Sequence, residues 1–170
     1  MEQGKSDRVV TITVSDTRTD ADDESGSLLG ALLKEAGFTV HRHHIIRDEP
    51  DYIRELVTQT SRSDAEAIIL TGGTGMAPRD NTYDVVDALF EKRMDGFGEA
   101  FRRLSWDEIG PHAVLSRATA GTLNGTVIFS LPGSARAVRL GVEKIILPIL
   151  GHAMDLASGR AGHASPKASP

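Results

Sequence analysis

Apolar residues recur along this chain in two rhythms. Four short runs stand out as rich in β-branched and apolar residues: residues 9–14 (VVTITV), 38–46 (FTVHRHHII), 67–70 (AIIL) and 126–131 (TVIFSL). Runs of that length and composition predict strands. Between them the apolar spacing is three to four. Residues 27–35 set Leu28, Leu29, Leu32 and Leu33 on one stripe before Gly37, which predicts a helix with a glycine stop. Residues 51–60 carry Ile53, Leu56 and Val57 behind Pro50, a residue suited to a first helical turn. Residues 83–93 carry Val85, Val86, Ala88, Leu89 and Phe90. Residues 134–156 form a longer apolar helix (Val138, Val142, Ile145, Ile146, Ile149), with Pro148 a place for a kink.

Strands alternating with helices predict an α/β domain with a mostly parallel sheet covered on both faces. The run at 67–70, apolar at every position, fits a strand buried from both sides. There is no internal repeat and no linker, so residues 1–158 read as one domain. Residues 159–170 (GRAGHASPKASP) read as a mobile tail of small residues and prolines.

Composition narrows the functions. A 170-residue chain with 39% hydrophobic and 25% charged residues is an ordinary globular domain. A net charge of −5 argues against a general nucleic-acid binder, so an anionic ligand must be held by local groups. The chain has no cysteine, which excludes disulfides, thiolate metal sites and thiol nucleophiles. The opening MEQGKSDRVV has no apolar signal core, and no apolar run approaches the ~20 residues of a membrane span. A cytoplasmic protein with no membrane partner is the expectation.

In open parallel sheets, ligands bind beyond the carboxyl ends of the strands. Here those ends are Ser15-Asp16-Thr17, Arg47-Asp48-Glu49, Thr71 through Asp80, and Pro132-Gly133-Ser134, all rich in Gly, Ser, Thr or Asp. The loop Gly72-Gly73-Thr74-Gly75 can converge backbone amides on a phosphate, with a helix N-terminus near Thr82 adding partial positive charge. It matches neither a P-loop nor GxGxxG, and a plain strand-to-helix turn is the alternative. Asp48 and Asp80, from adjacent strand ends, suffice for Mg²⁺, which takes one or two carboxylates plus phosphate oxygens. Against that, Asp80 can cap the next helix, although Thr82 competes for the position, and Asp48 can be a solvated loop carboxylate. Arg117, within Ser116-Arg117-Ala118-Thr119-Ala120-Gly121, can grip a phosphate in bidentate fashion or form a surface salt bridge.

Two clusters read more blandly. Asp20, Asp22, Asp23 and Glu24 fail the calcium-loop spacing and read as a solvated loop, with Ser25-Gly26 able to cap the following helix. His41, His43 and His44 lack a partner cluster for zinc and read as polar residues on an exposed strand edge. No nucleophile elbow is present.

The stretches TVSDTR (13–18), DDESG (22–26), TGGTGMAPRD (71–80), DGFGEAFRRLSWDEIG (95–110), SRATAG (116–121) and TVIFSLPGS (126–134) together resemble the molybdenum-cofactor biosynthesis family of molybdopterin adenylyltransferases, in its B-type branch. The resemblance implies a three-layer α/β/α domain assembling as a homotrimer or homohexamer. It implies Mg-ATP-dependent adenylylation of the terminal phosphate of molybdopterin, with release of pyrophosphate and hand-over of the product to a molybdenum-insertion enzyme. It assigns Asp48 and Asp80 as the essential carboxylates and Gly72, Gly73, Thr74 and Gly75 as the phosphate loop. Ser116, Arg117 and Gly121 fall in the pterin-phosphate region, Ser15, Asp16, Ser25 and Gly26 on the opposite wall, and Pro132, Gly133 and Ser134 in the loop after the last strand. Three positions depart from the family pattern: Asn81-Thr82-Tyr83 where Val-Thr-Pro is usual, Ala135 where proline is usual, and Ala118-Thr119 after the arginine. A non-catalytic molybdopterin- or nucleotide-binding member of the same fold is the other reading.

Overall fold

The computed structural model describes residues 8–161. Six strands form one sheet: β1 (Arg8–Val14), β2 (Thr39–Ile46), β3 (Ala67–Thr71), β4 (Lys92–Arg93), β5 (Thr119–Leu123) and β6 (Thr126–Leu131), in the order β2-β1-β3-β6-β5-β4. The first four in that order are parallel, and β5 and β4 add antiparallel pairs at one edge. The helices are α1 (Glu24–Glu35), α2 (Pro50–Ser61), α3 (Thr82–Leu89), α4 (Asp95–Ile109), α5 (Ala135–Gly141) and α6 (Leu147–Ala157). The mostly parallel, three-layer α/β/α architecture read from the sequence is the one observed.

Alternation along the strands divides the core in two. Ile69, Val127, Phe129 and Leu131 face α1, α4, α5 and α6. Val10, Ile12, Ile68, Leu70 and Ile128 face α2 and α3. In the larger half the rings of Phe97 and Phe129 meet edge to face, with centroids 5.3 Å apart. Phe129→Ala is expected to cost about 3–5 kcal/mol, the usual penalty for a large buried cavity, measured as a lower denaturation midpoint at unchanged slope. A loss under about 1 kcal/mol would mean that the site collapses freely.

Two elements differ from expectation. The helix expected over 83–93 stops at Leu89, because Phe90 turns extended (ψ 131°) and the Glu91 amide donates to the Thr122 carbonyl at 2.9 Å. Residues 92 and 93 then become the edge strand β4. The long helix after Ser134 is continuous but contains a π-helical turn, Val142–Ile146, immediately before Leu147-Pro148. Proline has no N–H for the carbonyl four residues back, and a π-turn relieves that local mismatch. Residues 159–161 are tied down: Arg160 pairs with Glu66 and Asp155, while residues 162–170 lie outside the described part. Among the described residues no helix is long and apolar enough to cross a membrane.

Candidate functional site

Sheet order reverses between β1 and β3. From β1 the chain goes outward to β2 and returns to β3 on the other side, which opens a crevice at the carboxyl ends. The loops after β1, β2, β3 and β6 meet there.

The loop after β3 approaches its surroundings closely. Gly72 has φ +100°, and a Cβ on it would lie 2.2 Å from the Val14 carbonyl oxygen. Gly73 has φ +68°, and its Cβ would lie 2.1 Å from Thr82 Oγ1 and 2.6 Å from Asp48 Oδ2. The Gly72 amide is already used, donating to the Leu131 carbonyl at 2.9 Å. The amides of Gly73, Thr74 and Gly75 have no acceptor among the described residues. These three consecutive donors, not the full run from Gly72, are the ones available to an anion.

The two carboxylates flank this loop. Asp80 Oδ2 accepts the Ala77 amide at 2.9 Å and sits against Gly75. Asp48, only 5% exposed, accepts the Asn81 amide at 3.1 Å through Oδ1. The N-cap of α3 is Asn81, and no side chain caps that helix. Thr82, expected to compete for the cap, instead buries its hydroxyl without a partner, beside Asp48 Oδ2.

Burial lifts the Asp48 carboxyl above its ordinary range, and the charges of Asp80 and Asp16 add to the lift while hydrogen bonds from Asn81 oppose it. Between the ordinary carboxylate range and that raised value, the folded chain holds a proton that the unfolded chain has released. Stability falls as pH climbs from the ordinary carboxylate range through the raised value. Asp48→Asn keeps an acceptor for the Asn81 amide but removes the charge. It is expected to raise the thermal midpoint at neutral pH, with the gain shrinking toward about pH 4. Melting curves across that range check this; a gain independent of pH would contradict it.

The remaining site residues are brought to the crevice in different ways. Asp16 accepts from the Arg79 guanidinium at 2.9 Å and from the Asp48 amide at 3.2 Å, and Arg79 also reaches Glu49 at 3.1 Å. The Arg79 hydrogen bonds hold the Asp16 carboxyl below its usual range, outweighing partial desolvation. Arg117 is not a free guanidinium. It donates to the Gly75 carbonyl at 2.8 Å and the Asp80 carbonyl at 3.2 Å, pairs with Asp84 at 2.9 Å and lies 4.8 Å over the Tyr83 ring. Its visible task is to shape the glycine loop. Ser15 accepts the amides of Thr17 and Arg18, and Ser134 caps α5 through the Ala137 amide. Ser25 donates to the Gly133 carbonyl at 2.5 Å. Pro132, Gly133 and Ser116 line the same crevice as the glycine loop and Asp80, a space of about 360 Å³. Gly121 does not join them; it packs under Phe90 and the Lys92 carbonyl in the antiparallel edge.

Sequence reading missed the far wall. Ser105 on α4, His112 and Arg136 on α5 also line the crevice, with Arg136 paired to Glu108 at 2.6 Å. The helical spacing of Phe97, Phe101 and Leu104 was the available signal for α4. Asp23, expected in a solvated loop, is 4% exposed and caps α1 through the Gly26 amide. Burial follows because Thr13, Gly26 and His43 all donate to it or pair with it.

Among the described residues no three His, Cys, Asp or Glu side chains cluster as metal ligands. A Mg²⁺ carried by a phosphate ligand asks less, since one or two carboxylates complete its shell together with water and phosphate oxygens. Asp48, Asp80 and the orphaned Thr82 hydroxyl form an all-oxygen set of that kind, so the residues present fit.

The model of the probable molybdopterin-binding domain family matches residues 10–152. Molybdenum cofactor biosynthesis protein B of Bacillus anthracis is 48% identical over 143 residues, 83% of this chain and 85% of that protein. The protein of the same name from Bacillus subtilis is 46% identical over 147 residues, 85% and 86% of the two chains. Among solved structures, a molybdenum cofactor biosynthesis protein B superposes with a TM-score of 0.88 at 44% identity, covering 92% of this chain and 98% of that one. The tungsten cofactor synthesizing protein MoaB of Pyrococcus furiosus follows at 0.81 and 37%, covering 91% and 98%.

Proposed function

This chain belongs to the molybdopterin-binding domain family of molybdenum cofactor biosynthesis, and from that membership we propose that it transfers the adenylyl group of ATP to molybdopterin. The relatives' names support the pathway; the reaction is our reading of the site. One observation carries it: two carboxylates, one of them almost fully buried, flank three consecutive unpaired amides at the sheet's switch point.

In the proposed reaction an oxygen of the molybdopterin terminal phosphate attacks the α-phosphorus of ATP. The new P–O bond forms as the bond to pyrophosphate breaks, and pyrophosphate departs with the electron pair. The attacking oxygen is already anionic at neutral pH, so no protein base is needed. Catalysis then consists of positioning and charge compensation. The amides of Gly73, Thr74 and Gly75 hold phosphate oxygens, and the adjacent start of α3 adds partial positive charge. Arg117 holds the Gly75 and Asp80 carbonyls and keeps the loop open toward the crevice. Asp48 and Asp80 are the residues that would hold Mg²⁺, which when bound offsets charge on the phosphates. Arg136 and Ser105 on the far wall offer donors to the second substrate.

The test is pyrophosphate release on mixing the protein with molybdopterin, ATP and Mg²⁺. Release in proportion to molybdopterin is expected. No release from protein that demonstrably binds both would leave a carrier of the same fold. Self-association belongs to the same proposal: Val114 and Leu115, 63% and 54% exposed beside the crevice, suit a trimeric or hexameric assembly, which sedimentation reads directly.

A further inference from the structure

The acidic loop before α1 and His43 of β2, which the proposed chemistry does not use, meet in a single network in which Asp23 is buried and the His43 ring is partly exposed. Asp23 Oδ2 accepts the Thr13 hydroxyl at 2.7 Å and faces His43 Nε2 at 2.9 Å, while Oδ1 accepts the Gly26 amide at 2.9 Å. The other ring nitrogen, His43 Nδ1, is 2.8 Å from the Thr11 hydroxyl. Gly26 has no room for a Cβ, which would fall 2.1 Å from Asp23 Oδ2 and 2.8 Å from His43 Cε1. One residue before it, Ser25 reaches across to the Gly133 carbonyl at 2.5 Å. Gly133 in turn packs on the glycine loop, where a Cβ would lie 3.2 Å from Gly72 Cα.

We propose that Asp23 and His43 are positioning residues for the candidate site: their hydrogen bond sets the start of α1, from which Ser25 fixes the Gly133 loop against Gly72. The inference rests on the crevice being the ligand site. It gives Ser25 and Gly26 work other than touching ligand, since the hydroxyl of one is committed to a loop carbonyl and the other exists to let Asp23 and His43 meet. The carboxyl of Asp23 stays ionised despite its burial, because its three donors outweigh desolvation. Cutting one of them leaves a buried acceptor short of a partner, and the strain falls on the turn that carries Ser25.

The pairing has a testable asymmetry. With a carboxylate opposite, His43 donates from Nε2 in either charge state. With an amide opposite, as in Asp23→Asn, the side-chain carbonyl still caps Gly26. The NH₂ group then needs Nε2 as an acceptor, which only the neutral ring supplies, with Nδ1–H turned to Thr11. The groups around the ring are few. β1 brings the hydroxyls of Thr11 and Thr13, β2 brings His41 two positions earlier on the strand with Arg42 and His44 beside the ring in sequence, and the N-cap of α1 is Asp23, with Glu24 next to it exposed.

Affinity for Mg-ATP is measured by calorimetry for the full chain and for Asp23→Asn at several pH values across the range in which imidazoles change charge. Taking the ratio of the two proteins at each pH cancels the titration of Asp48, which both share. Above that range the two are expected to match. Below it the variant is expected to bind on the order of tenfold more weakly, the scale of one buried hydrogen bond to a charged group. In parallel, exchange of the Gly72 amide with solvent is expected to speed up in the variant only at the acidic end. A ratio constant with pH, together with unchanged Gly72 exchange, overturns the proposal. If the wild-type chain binds no Mg-ATP, the nucleotide reading fails and the exchange measurement alone decides this one. Should Asp23→Asn not fold, His43→Gln, which still donates an N–H, is expected to retain Gly72 protection that His43→Ala loses; equal protection in both overturns it.

Discussion

Asp80→Asn is expected to lower adenylyl transfer by about a thousandfold or more, in line with removing a preorganised charge from a phosphoryl-transfer site, while leaving the fold intact. The substitution removes charge but almost no volume. The Ala77 amide, now donating to Asp80 Oδ2 at 2.9 Å, finds an equivalent acceptor in the asparagine carbonyl, so the turn from Ala77 to Asp80 survives. Arg117 holds the Asp80 main-chain carbonyl and not its carboxylate, so the loop keeps its anchor as well. What disappears is one of the two negative groups that would hold Mg²⁺ beside the unpaired amides. Pyrophosphate release and a melting curve on the same sample separate the two effects. Unchanged turnover would remove Asp80 from the mechanism, and a lost melting transition would make it structural.

Gly72→Ala has a different and larger structural consequence. The added methyl would sit 2.2 Å from the Val14 carbonyl oxygen, and the residue holds φ at +100°. A left-handed backbone costs a non-glycine residue about 1–2 kcal/mol, and overpacking typically adds a further 1–3 kcal/mol. Neither side can yield easily. Val14 ends the central strand β1, and Gly72 is tied by its amide to Leu131 of β6. A drop of several kcal/mol is expected, seen as a collapse in soluble yield or in denaturation midpoint. Gly75→Ala is the contrast: the nearest atoms its methyl would meet belong to the Asp80 carboxylate, at 2.7 Å, a side chain and not backbone, so ligand binding should suffer before stability does. Equal stability losses in the two variants would contradict this account of the loop.

The central strands were legible because burial on both faces writes itself into sequence as unbroken apolar runs, as in residues 67–70. The edge was not. β5 reads TAGTL and β4 consists of Lys92 and Arg93; neither has a hydrophobic pattern, and they form because β6 offers a free edge to β5, which in turn offers one to β4. For the same reason the α3 pattern overran into Phe90 and Glu91, which the ladder to Thr122 captures. α4 escaped notice from spacing alone because Gly96 and Gly98 in its first turns weaken the helical signal.

Within the site, the strand-end rule located Asp48, Asp80 and the glycine loop from order alone. Partners were another matter. Nothing in SRATAG reveals that Arg117 turns back on the Gly75 and Asp80 carbonyls, since those contacts arise between distant segments. Asp23 was hidden among three other acidic residues, and only the packing of β2 beside β1 shows that it meets His43. Local chemistry was readable one loop at a time; commitment of a side chain to a distant carbonyl was not.

In the proposed complex the amides of Gly73, Thr74 and Gly75 receive nucleotide phosphates while Asp48 and Asp80 share a divalent cation next to them. A crystal of the protein grown with ATP and Mg²⁺ decides whether this complex forms. Phosphate oxygens within hydrogen-bond distance of those amides, with one metal bridging the two carboxylates and the nucleotide, are expected. An ordered nucleotide bound elsewhere, or this loop clear of phosphate with the two aspartates turned from one another, would contradict it.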